Sequence, residues 1–126
     1  MPERPYTPPG FTLNWSARES LTRRERNRRI RICAPRESGV YEIYPRDAET
    51  PCYIGGSSNI KNRINSHRGQ QDDCLVRQFF WVHVEEAQVE VEYRWACCEN
   101  WRYVEACLLQ MHRAKHDALP PCNVHG

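Results

Sequence analysis

The sequence predicts a small α+β domain preceded by a basic N-terminal arm. Two short runs of β-branched and aromatic residues, 39–44 and 52–55, are separated by a polar segment that begins and ends with proline, which indicates a β-hairpin. Apolar residues at 89, 91, 93 and 95 alternate with charged residues at 90, 92 and 94, and this period of two predicts a third strand over residues 89–96 with one buried face. Apolar residues at helical spacing follow both the hairpin and this strand, so we expect helices to flank the sheet.

A chain of 126 residues is long enough for one domain with a hydrophobic core. We expect residues 1–37 to form the arm and residues 38–126 to form the domain. Residues 1–38 carry nine Arg and four Glu, a formal +5, whereas residues 39–126 carry nine Lys and Arg against twelve Asp and Glu, a formal −3. A polyanion is therefore expected to meet the arm first, because clustered arginines neutralise phosphates and release counterions.

The arm is predicted to be partly extended and partly helical. Its first ten residues include four prolines and read as an extended lead-in, whereas capping serines and the stop at Pro35 predict a basic helix over residues 17–31. Leu21 and Ile32 are too widely spaced to form an apolar stripe, so this helix is expected to gain little from burial. A solvated basic helix is the alternative to a nucleic-acid-binding one. The candidate nucleic-acid-binding residues are Arg23, Arg24, Arg26, Arg28, Arg29 and Arg31.

A helix is predicted directly after the hairpin. Residues 57–59 are Ser, Ser and Asn, which cap helix N-termini, and Ile60 and Ile64 then recur at helical spacing. At about 100° per residue, Arg63 and His67 lie within roughly 60° of this stripe. A cation and an imidazole are therefore expected to border the buried face.

Two further helices are predicted downstream. Bulky apolar residues over residues 75–83 suit a helix, although their β-branched and aromatic types leave a strand as the alternative. After the third strand, Asn100 is a candidate cap and an apolar stripe extends to about residue 116. Glu105 lies inside this stripe, where a carboxylate is costly unless it is paired, protonated or bound to a metal. From the pattern alone, an ion pair at the edge of the stripe and a metal site stay equally open.

The hairpin and the helix that follows it resemble the signature of the GIY-YIG nuclease superfamily. Gly39-Val40-Tyr41 stands for the first tripeptide, with Val in place of Ile, and Tyr53-Ile54-Gly55 stands for the second. The superfamily's helix carries an Arg followed one turn later by a His, which Arg63 and His67 match. Its later helix carries a Glu, matched by Glu105, and an Asn near the end of the module is matched by Asn123. The matches occur in the family's order over residues 38–123.

The resemblance implies a three-stranded, mainly antiparallel sheet flanked by helices, and a divalent-metal-dependent endonuclease that hydrolyses phosphodiester bonds in DNA. Glu105 would hold one Mg²⁺ or Mn²⁺, since a hard cation suits a carboxylate. The Arg63 guanidinium would contact the phosphate and stabilise its developing charge. Tyr41, with His67, would accept the proton of the water. Tyr53 would orient the phosphate or the water, and Asn123 would brace the site. Which of the first two finally takes the proton stays open, because a phenol is a poor base at neutral pH unless nearby cations lower its pKa.

Two other readings of the same site stay open, namely an RNase or branched-DNA nuclease and a nucleic-acid-binding module that does not cleave. A single centre cuts one strand, so we expect a homodimer or a missing targeting domain or partner. The seven cysteines are an odd number, and the sequence has neither an apolar signal segment nor a run long enough to span a membrane. These features predict a reduced, cytoplasmic protein without a membrane partner. The cysteines lack the CxxC spacing typical of zinc sites.

Overall fold

The computed structural model describes residues 12–21, 24–25, 28–29, 31–68 and 91–123. Within these residues the fold combines a four-stranded sheet, a two-stranded sheet, two α-helices and a short 3-10 helix. None of the helices in the described part of the chain has the length and hydropathy needed to span a bilayer. The elements, in chain order, are β1 Glu19–Ser20, β2 Arg24–Glu25, β3 Arg28–Arg29, β4 Gly39–Pro45, β5 Tyr53–Ser57, α1 Ile60–Arg68, β6 Val91–Cys97, α2 Trp101–His116 and the 3-10 helix Pro121–Asn123.

The larger sheet is antiparallel and has the strand order β1-β6-β4-β5. The predicted hairpin is confirmed as β4 and β5, and the predicted third strand is confirmed as β6. Strand β4 is central, so Tyr41 lies opposite Gly55 on one side and opposite Trp95 on the other. Because β4 is covered on both faces, six of its seven residues are buried. This position explains why its sequence is a continuous apolar and aromatic run broken only by Glu42.

The helix predicted over residues 17–31 is wrong. Glu19–Ser20 forms a short strand against β6, and Arg24–Glu25 pairs with Arg28–Arg29 as a second hairpin. An extended chain lets Ser16 donate its N–H to the carbonyl of Trp95 over 2.8 Å and Leu21 donate its N–H to the carbonyl of Val91 over 2.7 Å. The free edge of β6 thereby gains hydrogen bonds that a separate helix would not supply.

Apolar burial also favours the extended arm. Leu21 is 1% exposed and Ile32 is 4% exposed, so both side chains are buried in the core. The predicted helix was expected to gain little from burying them. Arg18 is held on the domain as well, because it pairs with Glu92 over 2.9 Å and its guanidinium lies 3.8 Å from the centre of the Tyr44 ring. Part of the predicted arm is therefore built into the sheet rather than attached to it by a flexible joint.

The two helices cover opposite faces of the sheet. Ile60 and Ile64 of α1 pack in one cluster with Tyr41 and Ile43, whereas Val104 of α2 packs in another with Val40 and Ala96. This arrangement follows from the alternation of side chains along β4, which sends neighbouring residues to opposite faces. The α+β fold of a mainly antiparallel sheet flanked by helices is therefore confirmed, with four strands instead of the three expected, because β1 pairs with the edge of β6.

The predicted helix starts are correct in position. Asn59 caps α1 by accepting the Asn62 N–H at its Oδ1 over 3.1 Å. Asn100 precedes α2, although its side chain makes no capping hydrogen bond. The helix ends at Asp117, which adopts a left-handed conformation and donates its N–H to the carbonyl of Arg113. The helix or strand predicted over residues 75–83 lies outside the described residues.

Candidate active site

Two tyrosines and a histidine meet on the α1 side of the sheet. Tyr41 comes from β4, Tyr53 from β5 and His67 from the second half of α1, and these side chains are at most 8% exposed. The Tyr41 Oη lies 2.6 Å from the His67 Nε2. The Tyr53 ring centre lies 6.0 Å from that of Tyr41 and 4.9 Å from that of His67. The structure thus brings together three groups that sequence analysis placed on separate elements.

Gly55 leaves the space in which the tyrosines approach the strand. A Cβ at this position would lie 2.6 Å from the Tyr41 Oη and 2.8 Å from the Tyr53 Cε1. Both distances are shorter than nonbonded carbon contacts allow, so any other residue would displace the two rings. The second tripeptide therefore requires glycine for a steric reason.

The Tyr41 hydroxyl keeps its proton at neutral pH. Burial raises the pKa of Tyr41 well above 10, and the neighbouring Tyr53 raises it further. Arg63 lies close enough to hydrogen-bond Tyr41 and lowers this pKa, but its effect is the smaller one. Sequence analysis required nearby cations to lower the pKa of the phenol before it could act as a base. Arg63 does lower the pKa of Tyr41, but burial raises it by more. A neutral phenol can donate its O–H to the His67 Nε2, 2.6 Å away, when that nitrogen carries no proton.

Glu105 approaches the same strand from the opposite face of the sheet. The Gly56 N–H donates a hydrogen bond to the half-buried carboxylate, and a Cβ on Gly56 would lie 3.3 Å from Oε2. Burial raises the pKa of Glu105, while the Gly56 N–H and the positive charge of Arg63 lower it. Consecutive glycines thus let the phenols and the carboxylate converge on one short length of β5.

Strand β5 lies at the edge of the sheet, and the outward backbone groups of Ile54 are taken by the end of the described chain. Asn123 accepts the Ile54 N–H at Oδ1 over 2.9 Å and donates from Nδ2 to the Ile54 carbonyl over 3.0 Å. The Cys122 N–H donates to the carbonyl of Cys52 over 2.8 Å. Asn123 is 7% exposed, so its amide satisfies buried backbone groups and holds β5 from outside.

The residues present fit one weakly held divalent cation. Among the described residues no group of three or more His, Cys, Asp and Glu side chains could hold a metal ion, so Glu105 would hold one with at most one further ligand of these types. A half-buried carboxylate with a raised pKa lacks full compensation for its charge, and a bound cation would supply it. Mg²⁺ and Mn²⁺ suit such a site because they retain several waters and accept phosphate oxygens.

The structure separates the predicted residues into two groups. The six candidate catalytic side chains surround residues 55–56, as described above. Of the candidate arginines, Arg24 lies on β2 and Arg28 and Arg29 lie on β3, while Arg31 is exposed beyond the hairpin. Arg23 and Arg26 lie outside the described residues. Sequence analysis missed the steric role of Gly55 and Gly56, although two glycines inside a strand are a signal of close approach.

Comparison with known proteins yields one family and one curated relative of note. The GIY-YIG catalytic domain family matches residues 37–117, a span that includes five of the six candidate catalytic residues and ends before Asn123. UvrABC system protein C from Treponema denticola is 28% identical over 99 residues, which is 77% of this chain and 14% of that protein. The chain therefore spans about one seventh of the relative's length. No solved structure matches the chain significantly.

Proposed function

Since this chain belongs to the GIY-YIG family and is a nuclease of that type, we propose that it is a divalent-metal-dependent endonuclease acting on DNA. The observation that carries the proposal is the 2.6 Å contact between Tyr41 and His67, next to Arg63 and across the Gly55-Gly56 strand from Glu105. Phosphodiester hydrolysis needs a proton acceptor for the attacking water and positive charge for the phosphorane. These side chains supply both.

We assign the proton transfer to the tyrosine and histidine together. Tyr41 stays protonated because burial raises its pKa, so it accepts a proton from water only while giving its own to the His67 Nε2. The water proton then resides on Tyr41 and the phenol proton on His67, which becomes imidazolium. Tyr53, 4.9 Å from His67 between ring centres, orients the water or the phosphate.

Charge on the phosphate is met by Arg63 and by the metal site. The guanidinium offers several donors in a fixed geometry that matches phosphate oxygens. Glu105 would hold Mg²⁺ or Mn²⁺, and such a cation supplies charge neutralisation at the phosphate and the departing oxygen. Asn123 keeps β5, and with it Tyr53 and Gly56, in place.

The choice of DNA, the partners and the location rest on the sequence. The arm carries the positive charge that is predicted to attract a polyanion. The catalytic groups would contact a phosphate group, which DNA and RNA share. A homodimer or a targeting partner would be needed for a double-strand break, because each chain has one such centre. Cytoplasmic location stays a prediction.

The test is cleavage of a supercoiled plasmid with Mg²⁺, Mn²⁺ or EDTA. Glu105→Gln is expected to reduce metal-dependent nicking at least about a hundredfold, as loss of a charge-stabilising group does elsewhere. Glu99→Gln is the matched control, since Glu99 is an exposed carboxylate that precedes α2. Branched DNA and structured RNA are assayed as substrates in parallel, to identify the substrate class. Absence of cutting by the native chain on all three substrates would favour a binding module instead.

A further inference from the structure

An open cleft of about 440 Å³ lies between the segment that precedes β4 and the first turn of α1. It is lined by residues 31–36 and by Lys61. Arg31 and Arg36 are exposed, Lys61 is half-buried, and Ile32 and Ala34 are buried with 4% and 3% exposure. The cleft therefore has an apolar floor and cationic walls.

The backbone of this segment is held firmly. The Ile60 N–H donates to the carbonyl of Glu37 over 2.9 Å, and the Lys61 N–H donates to the carbonyl of Pro35 over 3.2 Å. The Cys33 N–H donates to the Tyr93 hydroxyl over 3.0 Å. The walls are thus fixed to α1 on one side and to the core on the other, which lowers the entropic cost of binding a ligand there.

The charge of the cleft has one sign. Three of its seven lining residues are cationic and none is acidic. Glu37 follows directly in sequence, but its Oε2 lies 3.9 Å from the Cys97 Sγ rather than in the lining. Helix α1 itself contributes Lys61 and Arg63, and its sequence contains no Asp or Glu. A cationic surface of this kind attracts an extended anion, whereas an acidic pocket would attract a cation.

The cleft also lies between two features already described. Arg31, which lines the cleft, follows β3 by two residues in the sequence. Lys61 and Arg63 are two residues apart on α1 and therefore about 160° apart around its axis, given 3.6 residues per turn. They border the exposed side of α1, where Asn62 and Asn65 are exposed. An anion that spans this side would contact the cleft at one border and the catalytic arginine at the other.

We propose that the cleft formed by Arg31, Arg36 and Lys61 binds the phosphate backbone of double-stranded DNA, so that the duplex lies across the exposed side of α1. The inference rests on the proposed function and adds the path of the substrate between the basic hairpin and the catalytic site. The contacts are to phosphate, so they position the duplex and carry no base sequence information.

The test is binding of a labelled DNA duplex, followed by fluorescence anisotropy as the salt concentration rises. All proteins carry Glu105→Gln and the buffer contains EDTA, so that binding is measured without cleavage. Arg36→Gln with Lys61→Gln is expected to reduce the slope of log K against log salt by roughly 0.9 for each cation removed. Arg113→Gln with Lys115→Gln is the matched control, because it removes the same charge from exposed positions at the end of α2. The control slope is expected to stay that of the parent protein.

A second readout uses the exposed free thiol of Cys33, which lies in the cleft. The duplex is expected to block alkylation of Cys33 by a maleimide, detected by peptide mass spectrometry, in the parent protein and in the charge control. This protection is expected to be lost in the Arg36 and Lys61 variant. Cys33 alkylation that is unaffected by DNA in the parent protein would overturn the proposal.

Outcomes for the cleft and for catalysis are separable. Equal salt slopes for the cleft variant and the charge control would overturn the cleft while plasmid nicking by the native chain still supported the enzyme. Cleft-dependent binding without any nicking would support the cleft and overturn the enzyme. Equal loss of binding on an RNA duplex, with native affinity as high as for DNA, would overturn the commitment to DNA.

Discussion

The Tyr41 hydroxyl oxygen lies 2.6 Å from Nε2 of His67, and both side chains are at most 2% exposed. A buried pair at this distance is a strong hydrogen bond. Because burial raises the pKa of Tyr41, the tyrosine of the resting pair is a neutral phenol. A phenol that is already protonated can take a proton from water only if it passes its own to a neighbour, so the proposed proton transfer uses both groups.

Tyr41→Phe and His67→Gln are expected to lower the nicking rate by similar factors, of about 10²–10⁴, the usual contribution of general acid–base groups. The double variant is expected to lose no more than the worse single variant, because residues that act as a unit are not additive. Initial nicking rates of the four proteins form the double-mutant cycle. Losses that multiply in the double variant would show that the two residues act independently.

Each single variant also breaks a buried hydrogen bond and is expected to lose about 1–3 kcal/mol of unfolding free energy. The rates are therefore compared at a temperature at which circular dichroism shows all four proteins folded. Tyr44→Phe, which removes a buried hydroxyl bonded to Glu42 on the other face of the sheet, controls for stability alone.

Mg²⁺ or Mn²⁺ is expected to raise the Tm of the native chain and to leave the Tm of Glu105→Gln unchanged. A ligand that binds the folded state alone adds about 1.4 kcal/mol at ten times its Kd, which corresponds to a few degrees. Millimolar concentrations are needed, because Glu105 is a lone carboxylate. Differential scanning fluorimetry without nucleic acid makes this readout independent of catalysis. An equal rise in both proteins would place the ion elsewhere.

In EDTA, Glu105→Gln is expected to be more stable than the native chain at pH 7, and the difference is expected to vanish in acid. Burial raises the pKa of Glu105 above its ordinary 4.5, so the folded state holds this proton more tightly than the unfolded state. The stability that Glu105 contributes is complete below that ordinary pKa and is lost as pH rises through the folded value. Gln keeps an acceptor for the Gly56 N–H without the charge.

Tm values from pH 3.5 to pH 8 measure this difference, with Glu99→Gln as the exposed carboxylate control. A native chain that is the more stable one at pH 7 would mean that Arg63 and the Gly56 N–H outweigh burial. The pKa of Glu105 would then be depressed rather than raised.

The sheet and the helices were predictable because their patterns are local. The period of two in β6, the stripe formed by Ile60 and Ile64 and the capping Asn59 each depend on residues close in sequence. The contact between Tyr41 and His67 was predictable only by resemblance, since the two residues are 26 apart in sequence and no local pattern joins them. The pairing of Asn123 with Ile54 spans 69 residues and was equally invisible in the sequence.

The arm was mispredicted for a physical reason. Helix propensity and capping favour a helix in an isolated arginine-rich segment, but the open edge of β6 and the buried sites for Leu21 and Ile32 stabilise an extended chain. The tertiary gain exceeds the local preference. Nothing in the sequence marks the open edge, because the partner strand lies more than seventy residues downstream.

Leu21→Ala is expected to lower the unfolding free energy by about 2–5 kcal/mol, as for other fully buried leucines. A leucine on a solvated arm would cost less than about 0.5 kcal/mol. Urea unfolding followed by tryptophan fluorescence measures the change. Leu13→Ala, at a half-buried position of the same segment, is expected to cost less. A negligible effect of Leu21→Ala would favour the solvated helix predicted from the sequence over the extended chain.

Asn123→Ala is expected to reduce both the unfolding free energy and the nicking rate. The amide makes two hydrogen bonds, of 2.9 and 3.0 Å, to the backbone of Ile54, and its loss leaves buried groups on the edge strand unpaired. Such a loss costs about 1–3 kcal/mol. Catalysis suffers in addition, because Ile54 lies between Tyr53 and Gly55, whose positions set the site.

Asn123→Asp keeps the acceptor but puts a carboxylate against the Ile54 carbonyl, so it is expected to be worse than Ala at neutral pH. Pro121→Ala, at an exposed position of the same 3-10 helix, should match the native chain. Native stability and native rate in Asn123→Ala would remove this residue from the site.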